Sequence, residues 1–389
     1  MTPSARVQAA IEVLDAMAGG LAAEQALTRW ARGARYAGSK DRAAVRDHVF
    51  SVLRRKRSCA ALGGGENGRA LMLGHVRAEK TDPETIFTGE GHAPVTLTAQ
   101  ERDAGATPEE AESRDLPDWL WARFKDSLGE EDAAAAAEAL RHRAPVCLRH
   151  NPRMKSAAEV IDVLEQDGIV ARPVSTVSGA FLVTEGARRV AQSAAFRDGH
   201  VELQDASSQA AMAVLPDPAG GRVLDYCAGG GGKVLALAGW HEGAWFAHDA
   251  APERMRDLPA RADRAKVRVS RLEPGDVAQA APFDIVLCDV PCSGSGTWRR
   301  TPEAKWALTP GRLDQLGALQ WEILVQAQAL VRPGGYLAYT TCSVLTEENE
   351  RQVSRFETAH PDWARQDTRR WPISEIGDGF FLALLRKPE

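Results

Sequence analysis

Two cysteines pose the first chemical question. Cys292 stands in Asp289-Val290-Pro291-Cys292 and Cys342 in Thr340-Thr341-Cys342-Ser343, each just after an apolar, strand-like run. A single cysteine is most often a small buried hydrophobe, which is the reading for Cys59, Cys147 and Cys288. Two at neighbouring strand ends ask for a chemical reason. A thiolate is the right nucleophile for carbon 6 of a pyrimidine: its addition makes carbon 5 electron-rich enough to take up a methyl group. A second cysteine, or an acid, then assists the elimination that frees the product. Pro291 stiffens the turn that presents Cys292.

A second constellation lies upstream. The run Val223-Leu224-Asp225-Tyr226 enters Cys227-Ala228-Gly229-Gly230-Gly231-Gly232-Lys233, and a helical pattern follows. Glycines between strand and helix let the backbone approach a ligand and expose the first amides of the helix. The phosphate-binding P-loop is excluded, since it needs Gly at 227 and Ser or Thr at 234, where this chain has Cys227 and Val234. The dinucleotide spacing GxGxxG is absent as well. Asp249 ends the next strand-like run, 24 residues after Asp225, the distance at which an acid meets ribose hydroxyls in nucleoside cofactors. Asp276 follows the third such run, where an adenine contact could be made. Beyond Cys292, the cations Arg299, Arg300 and Lys305 are interleaved with Trp298 and Trp306, a composition suited to splayed single-stranded nucleic acid.

These residues need a frame. The 389 residues carry 44% hydrophobic and 26% charged side chains, which excludes fibrous, collagen-like and wholly disordered classes. The six cysteines have no disulfide or zinc spacing, and the nine histidines no metal spacing, so no metal is expected. The chain reads as soluble and cytoplasmic, without an apolar run of membrane length or a signal-peptide core. Residues 1–60 hold 11 Lys/Arg against 5 Asp/Glu, including Arg54, Arg55 and Lys56, whereas residues 61–115 hold 5 against 11. A basic segment on an acidic chain marks a polyanion partner as a candidate. Apolar spacings of three and four predict helices over most of 1–145, with a looser, glycine-bearing stretch at 63–115. Residues 146–203 read as a small α+β module that links the halves. From 204 to 389, strands alternate with helices, which predicts a mostly parallel sheet with helices on both faces and ligands at the strand carboxyl ends.

The segments DYCAGGGGK (225–233), DVPCSGSGTWRRTPEAKW (289–306), TTCS (340–343) and DGFF (378–381), with Asp249, resemble the Sun/Nop/Fmu family of S-adenosylmethionine-dependent RNA 5-methylcytosine methyltransferases. The helices of 1–145 are similar to the NusB-like RNA-binding domain that precedes the enzyme in bacterial members acting on small-subunit ribosomal RNA. The resemblance implies an α/β, Rossmann-like class I methyltransferase domain behind an all-helical NusB-like domain and a small α+β module. It also implies S-adenosylmethionine as cofactor and RNA as partner, ribosomal RNA being favoured, with no obligate protein partner. Position by position, Cys342 is then the nucleophile, Cys292 the cysteine of product release, and Asp289 a contact of base and cofactor. Cys227, Ala228, Gly229, Gly230, Gly231, Gly232 and Lys233 line the cofactor, with Asp249 on the ribose, Asp276 on the adenine and Arg254 beside them. Arg54, Arg55, Lys56, Arg299, Arg300 and Lys305 are the expected RNA contacts. One departure stands out: members usually read Ala-Pro-Gly-Gly-Lys-Thr where this chain has Gly229, Gly230 and Val234, which loosens the loop. The alternatives are a transfer-RNA cytosine-5 enzyme and a non-catalytic RNA-binding assembly factor on the same fold. A DNA cytosine enzyme, which attacks through its Pro-Cys cysteine, leaves Cys342 without a role.

Overall fold

The computed structural model describes residues 1–389, which divide into two compact units. One comprises Met1–Arg143 together with Trp298–Ala307, the other Ala144–Thr297 with Leu308–Glu389.

The first unit is helical. Its opening helix, Pro3–Ala18, starts where Thr2 accepts the Ala5 amide at 3.1 Å and Pro3 fills the first turn. Val7, Ile11 and Leu14 then fall on one buried face. The stretch expected to be loose contains a buried helix, Gly68–Ala78, capped by Asn67. Glycines account for the misreading. A Cβ on Gly74 would lie 1.9 Å from the Cys59 carbonyl oxygen, and one on Gly63 would lie 1.8 Å from that of Ala70. These glycines allow close approach of the helices Lys56–Gly63 and Gly68–Ala78 rather than a turn.

The segment Trp298–Ala307 is the larger correction. Read from sequence as part of the catalytic domain and as an RNA-contacting strip, it packs into the helical unit. Trp298 is buried and stacks on Phe124 with ring centroids 6.0 Å apart. Trp306 donates its indole N–H to the Leu53 carbonyl at 2.7 Å, and Lys305 Nζ donates to the Arg54 carbonyl at 3.2 Å. Arg54 Nε donates to the Arg299 carbonyl at 2.7 Å. Arg54, Arg299 and Lys305 are 9%, 3% and 1% exposed, so they cannot meet phosphates, and the expectation that they bind RNA is withdrawn. Burial drives the Lys305 amine down to about 7, with Asp115 opposing. Between about 7 and the ordinary 10.5 the unfolded chain therefore holds a proton that the folded chain lacks, so stability rises with pH across that window. Lys305→Met should flatten this rise, which denaturant titrations at pH 7, 8 and 9 would measure.

The second unit carries two sheets. In the smaller, strands β1 (Val146–His150), β2 (Val170–Pro173), β3 (Ala180–Glu185) and β4 (Val201–Leu203) lie in the order β2-β3-β1-β4, all antiparallel. The helix Ala157–Gln166 packs its Val160 and Leu164 into the core of this module.

The larger sheet has seven strands: β5 (Arg222–Asp225), β6 (Ala244–His248), β7 (Val269–Leu272), β8 (Phe283–Asp289), β9 (Val331–Thr341), β10 (Ala364–Trp371) and β11 (Phe380–Arg386). Their order is β10-β11-β9-β8-β5-β6-β7, with β5 to β9 parallel and β11 and β10 antiparallel. Alternation builds both faces: Val223, Ile285, Leu287 and Ala338 pack on one, and Leu224, Val286, Cys288 and Leu337 on the other. The expected Rossmann-like class is the one found. Sequence order reverses between β5 and β8, so the crevice at their carboxyl ends is the switch point where ligands bind in such sheets. No helix is long and apolar enough to cross a membrane.

Candidate active site

Four strand ends deliver the site. Asp225 closes β5, Asp249 follows β6, Asp289 ends β8, and Cys342 follows β9. Register places Asp289 opposite Thr340, and the Thr340 hydroxyl donates to Asp289 Oδ1 at 3.1 Å.

The two cysteines meet, with Sγ atoms 3.4 Å apart. The thiol–thiol hydrogen bond with Cys292 holds the Cys342 thiol below its ordinary 9.0; burial and Asp289 oppose, while Lys233 and the Thr297 hydroxyl assist. Cys292 is pushed well above that value by the same bond, by burial and by Glu348. Of the two coupled thiols, Cys342 is therefore the one more readily ionised and Cys292 the one that keeps its proton longer. Cys59, Cys147 and Cys288 are buried, and burial raises the thiols of Cys59, to about 12, and of Cys288.

A buried carboxylate holds both cysteine loops. Glu348 Oε1 accepts the Ser293 amide at 2.8 Å and the Gln320 side-chain amide at 3.0 Å, while Oε2 accepts the hydroxyls of Ser293 and Ser343. Ser293 follows Cys292 and Ser343 follows Cys342, so one carboxyl group fixes the residue next to each cysteine. Gly296 adds a backbone clasp: its amide donates to the Cys342 carbonyl at 2.9 Å, and its carbonyl accepts the Gly379 amide at 3.0 Å. A Cβ on Gly379 would lie 2.6 Å from Val344 Cγ1 and 2.8 Å from the Gly296 Cα, which explains the glycine of DGFF at that place. Sequence reasoning passed over Glu348 and Thr297. An acid six residues beyond a candidate nucleophile was the available signal, masked by the run Glu347-Glu348-Asn349-Glu350, which reads as a helix start.

The glycine loop forms the other half. The Gly229 amide donates to Asp249 Oδ2 at 2.9 Å, and Asp249 also pairs with Arg254 at 3.1 Å. Gly229 and Gly231 adopt positive φ, +50° and +77°, which favours glycine there. Gly232 then begins the helix Gly232–Trp240. Lys233, at its second position, pairs with Asp289 Oδ2 at 2.5 Å. Burial would lower the Lys233 amine, but Asp289 and Asp225 raise it, so it stays charged. Burial pushes the Asp225 carboxyl up to about 7 against the pull of Lys233, and its Oδ1 is buried without a partner.

These features fit a cofactor. An orphaned carboxylate oxygen, loop amides at a helix start and an acid after β6 are the donors and acceptors that an ammonium and a ribose require. Cys227 is half-buried, its thiol raised by burial, and Ala228 lies beneath the loop with its amide on the His248 carbonyl. Asp276 is exposed beyond the end of β7. Of the expected RNA contacts, Arg300 is exposed, Arg55 is paired with Glu79 at 2.7 Å, and Lys56 lies 4.0 Å from Glu66.

Comparison with known proteins adds an independent line. The family model described as 16S rRNA methyltransferase RsmB/F matches residues 212–386, and one for the ferredoxin-like domain of RsmF/B-like methyltransferases matches 116–189. The latter includes the helices Asp118–Leu128 and Glu130–Leu140, which precede the expected module boundary at 146. The chain is 34% identical over 299 residues to the ribosomal RNA small subunit methyltransferase B of Vibrio cholerae, covering 73% of this chain and 68% of that one. The protein of the same name from Xanthomonas campestris is also 34% identical, over 300 residues, covering 72% and 68%. Among solved structures, the crystal structure of PH0851 matches with a TM-score of 0.77 at 25% identity, covering 100% of this chain and 99% of that one.

Proposed function

Because the chain belongs to the RsmB/F family of 16S rRNA methyltransferases, we propose that it methylates carbon 5 of a cytosine in small-subunit ribosomal RNA through a covalent adduct on Cys342. The observation that carries this reading is the polarised thiol pair, 3.4 Å apart, at the ends of β8 and β9.

The target base must leave its stack to expose carbon 6, so a loop or an opened segment is the substrate form. The Cys342 thiolate adds to carbon 6 and the pyrimidine becomes nucleophilic at carbon 5. Asp289, fixed by Lys233 and Thr340, hydrogen-bonds the base and orients it for the attack. Residues 227–233, Asp249 and Arg254 would hold S-adenosylmethionine, which would supply the methyl group as an electrophile. The carbon 5 proton passes to a solvent base with the assistance of Cys292, and as its electron pair re-forms the carbon 5–carbon 6 double bond the Cys342–carbon 6 bond breaks and the thiolate is restored. Arg55, Lys56 and Arg300 are the remaining basic candidates for phosphate contacts.

The rate should follow the ionisation of Cys342. Since its thiol is held below 9.0, the anion is populated above that lowered value, and activity falls as pH drops through it. Removing the Cys292 donor moves this limb up. Adduct formation by Cys292→Ala, timed between pH 6 and 9, should therefore need a higher pH than adduct formation by wild type.

The functional test uses unmodified 16S ribosomal RNA and transfer RNA transcripts with methyl-labelled S-adenosylmethionine. Nuclease digestion and mass spectrometry should find 5-methylcytidine in the ribosomal RNA only. Label in transfer RNA alone would transfer the proposal to that substrate, and label in neither would favour the non-catalytic assembly factor.

A further inference from the structure

The glycine loop has no stiffening residue of its own, yet each of its three inner glycines faces a side chain from 254–261. A Cβ on Gly229 would lie 3.5 Å from Arg254 Nη2, one on Gly230 2.8 Å from Arg261 Nη1, and one on Gly231 2.3 Å from Leu258 Cδ1. Leu258 and Arg261 sit one turn apart on the helix Leu258–Ala265, so both point at the loop together. The Arg261 contact is a bond as well as a fit: Nη1 donates to the Gly230 carbonyl. Its other nitrogen is anchored outside the catalytic sheet. Arg261 Nη2 pairs with Glu202 Oε2 at 2.9 Å, and Arg264 of the same helix takes Oε1. Glu202 lies in β4, at the edge of the small sheet, and is 6% exposed.

We propose that Arg261 is a positioning residue for S-adenosylmethionine binding, a clamp that fixes the Gly229–Gly231 backbone from outside, with Glu202 of the small α+β module holding the clamp. Four consecutive glycines lose much conformational freedom on ordering. A guanidinium locked by a buried carboxylate restores that order through one charge-assisted hydrogen bond to a carbonyl. The affinity of the loop for its ligand thereby depends on the small module, which contributes no atom to the proposed cofactor contacts. The inference rests on the reading that this loop holds the cofactor.

The test compares the full-length wild type with Arg261→Ala, Glu202→Gln, Gly230→Pro and the double variant Arg261→Ala/Gly230→Pro. Dissociation constants for S-adenosylmethionine come from calorimetry, and KM and kcat from methyl transfer. Arg261→Ala should weaken binding and raise KM by roughly tenfold, the worth of one charge-assisted hydrogen bond, with kcat at saturating cofactor within about threefold of wild type. Glu202→Gln should move the same quantities less. Gly230 is outside the positive-φ positions, so a proline is tried there as an internal stiffener, and a Cβ at that position crowds Arg261. Gly230→Pro should therefore weaken binding in the wild-type background and strengthen it in Arg261→Ala, a reversal that general destabilisation does not produce. Unchanged affinity in Arg261→Ala, or a Gly230→Pro effect of the same sign in both backgrounds, would overturn the clamp. Asp249→Asn, measured alongside, isolates the underlying reading: unchanged affinity there counts against the loop as the cofactor site, independently of Arg261.

Discussion

Replacing Cys342 with alanine should abolish both methyl transfer and adduct formation, with a loss of about 10⁴-fold or more, the scale seen when a covalent nucleophile is removed. No neighbour can substitute. Cys292 is the nearest sulfur, but its thiol is driven well above the ordinary value by its bond to Cys342, by burial and by Glu348. Cys292→Ala should behave differently. At a pH high enough to ionise it, Cys342 still attacks, but the step that removes the carbon 5 proton slows, and protein–RNA adduct accumulates. Gel shifts that survive denaturant, run on both variants with labelled RNA, measure this contrast. The opposite pattern would assign the attack to the Pro-Cys cysteine.

The second large effect is expected at a residue that bonds to neither cysteine. Glu348→Ala removes the acceptor of four donors, the Ser293 amide and hydroxyl, the Ser343 hydroxyl and the Gln320 amide. Buried donors left unsatisfied cost about 1–3 kcal/mol each before relaxation, so a loss of about 3–5 kcal/mol in stability is expected. The catalytic loss should be larger than stability accounts for, because the carboxyl group fixes the residues following Cys292 and Cys342. At a temperature where the variant is still folded, kcat should fall by about 100-fold, as misplacing reacting groups by an ångström does. KM for S-adenosylmethionine should stay near wild type, since Glu348 contacts the cysteine loops and not the glycine loop. Thermal unfolding and steady-state kinetics on the same preparation separate the two effects. A parallel fall in cofactor affinity would show that Glu348 supports the whole sheet edge and not the thiol pair.

The parts of this protein that were legible in its sequence are those where chemistry and strand pattern coincide. Asp225, Asp249, Asp289 and Cys342 each close or follow a continuous apolar run, because a parallel strand is buried on both faces and its ligand site lies at its carboxyl end. The glycine loop was legible for the same reason. Edge strand β10 was not: its run Ala364–Trp371 is rich in Arg, Gln and Asp and mostly exposed, so it shows no apolar period. The helix Gly68–Ala78 was hidden by glycines that serve packing rather than turning. Trp298, Arg299 and Lys305 failed in a more instructive way. Cations interleaved with tryptophans look like a nucleic-acid surface in one dimension. In the fold Trp298 is core, and Arg299 and Lys305 are buried, Lys305 donating to the Arg54 carbonyl. Glu348 and the Arg261–Glu202 pair depend on contacts between elements far apart in the chain, which no local pattern reports.

The central claim is that Cys342 forms the bond to the base. The most direct measurement is mass spectrometry of the adduct trapped on Cys292→Ala after digestion of both protein and RNA. A nucleotide attached at Cys342, on a cytosine already methylated at carbon 5, is the predicted result. A nucleotide attached at any other residue, or no covalent product with RNA that wild type methylates, would contradict it.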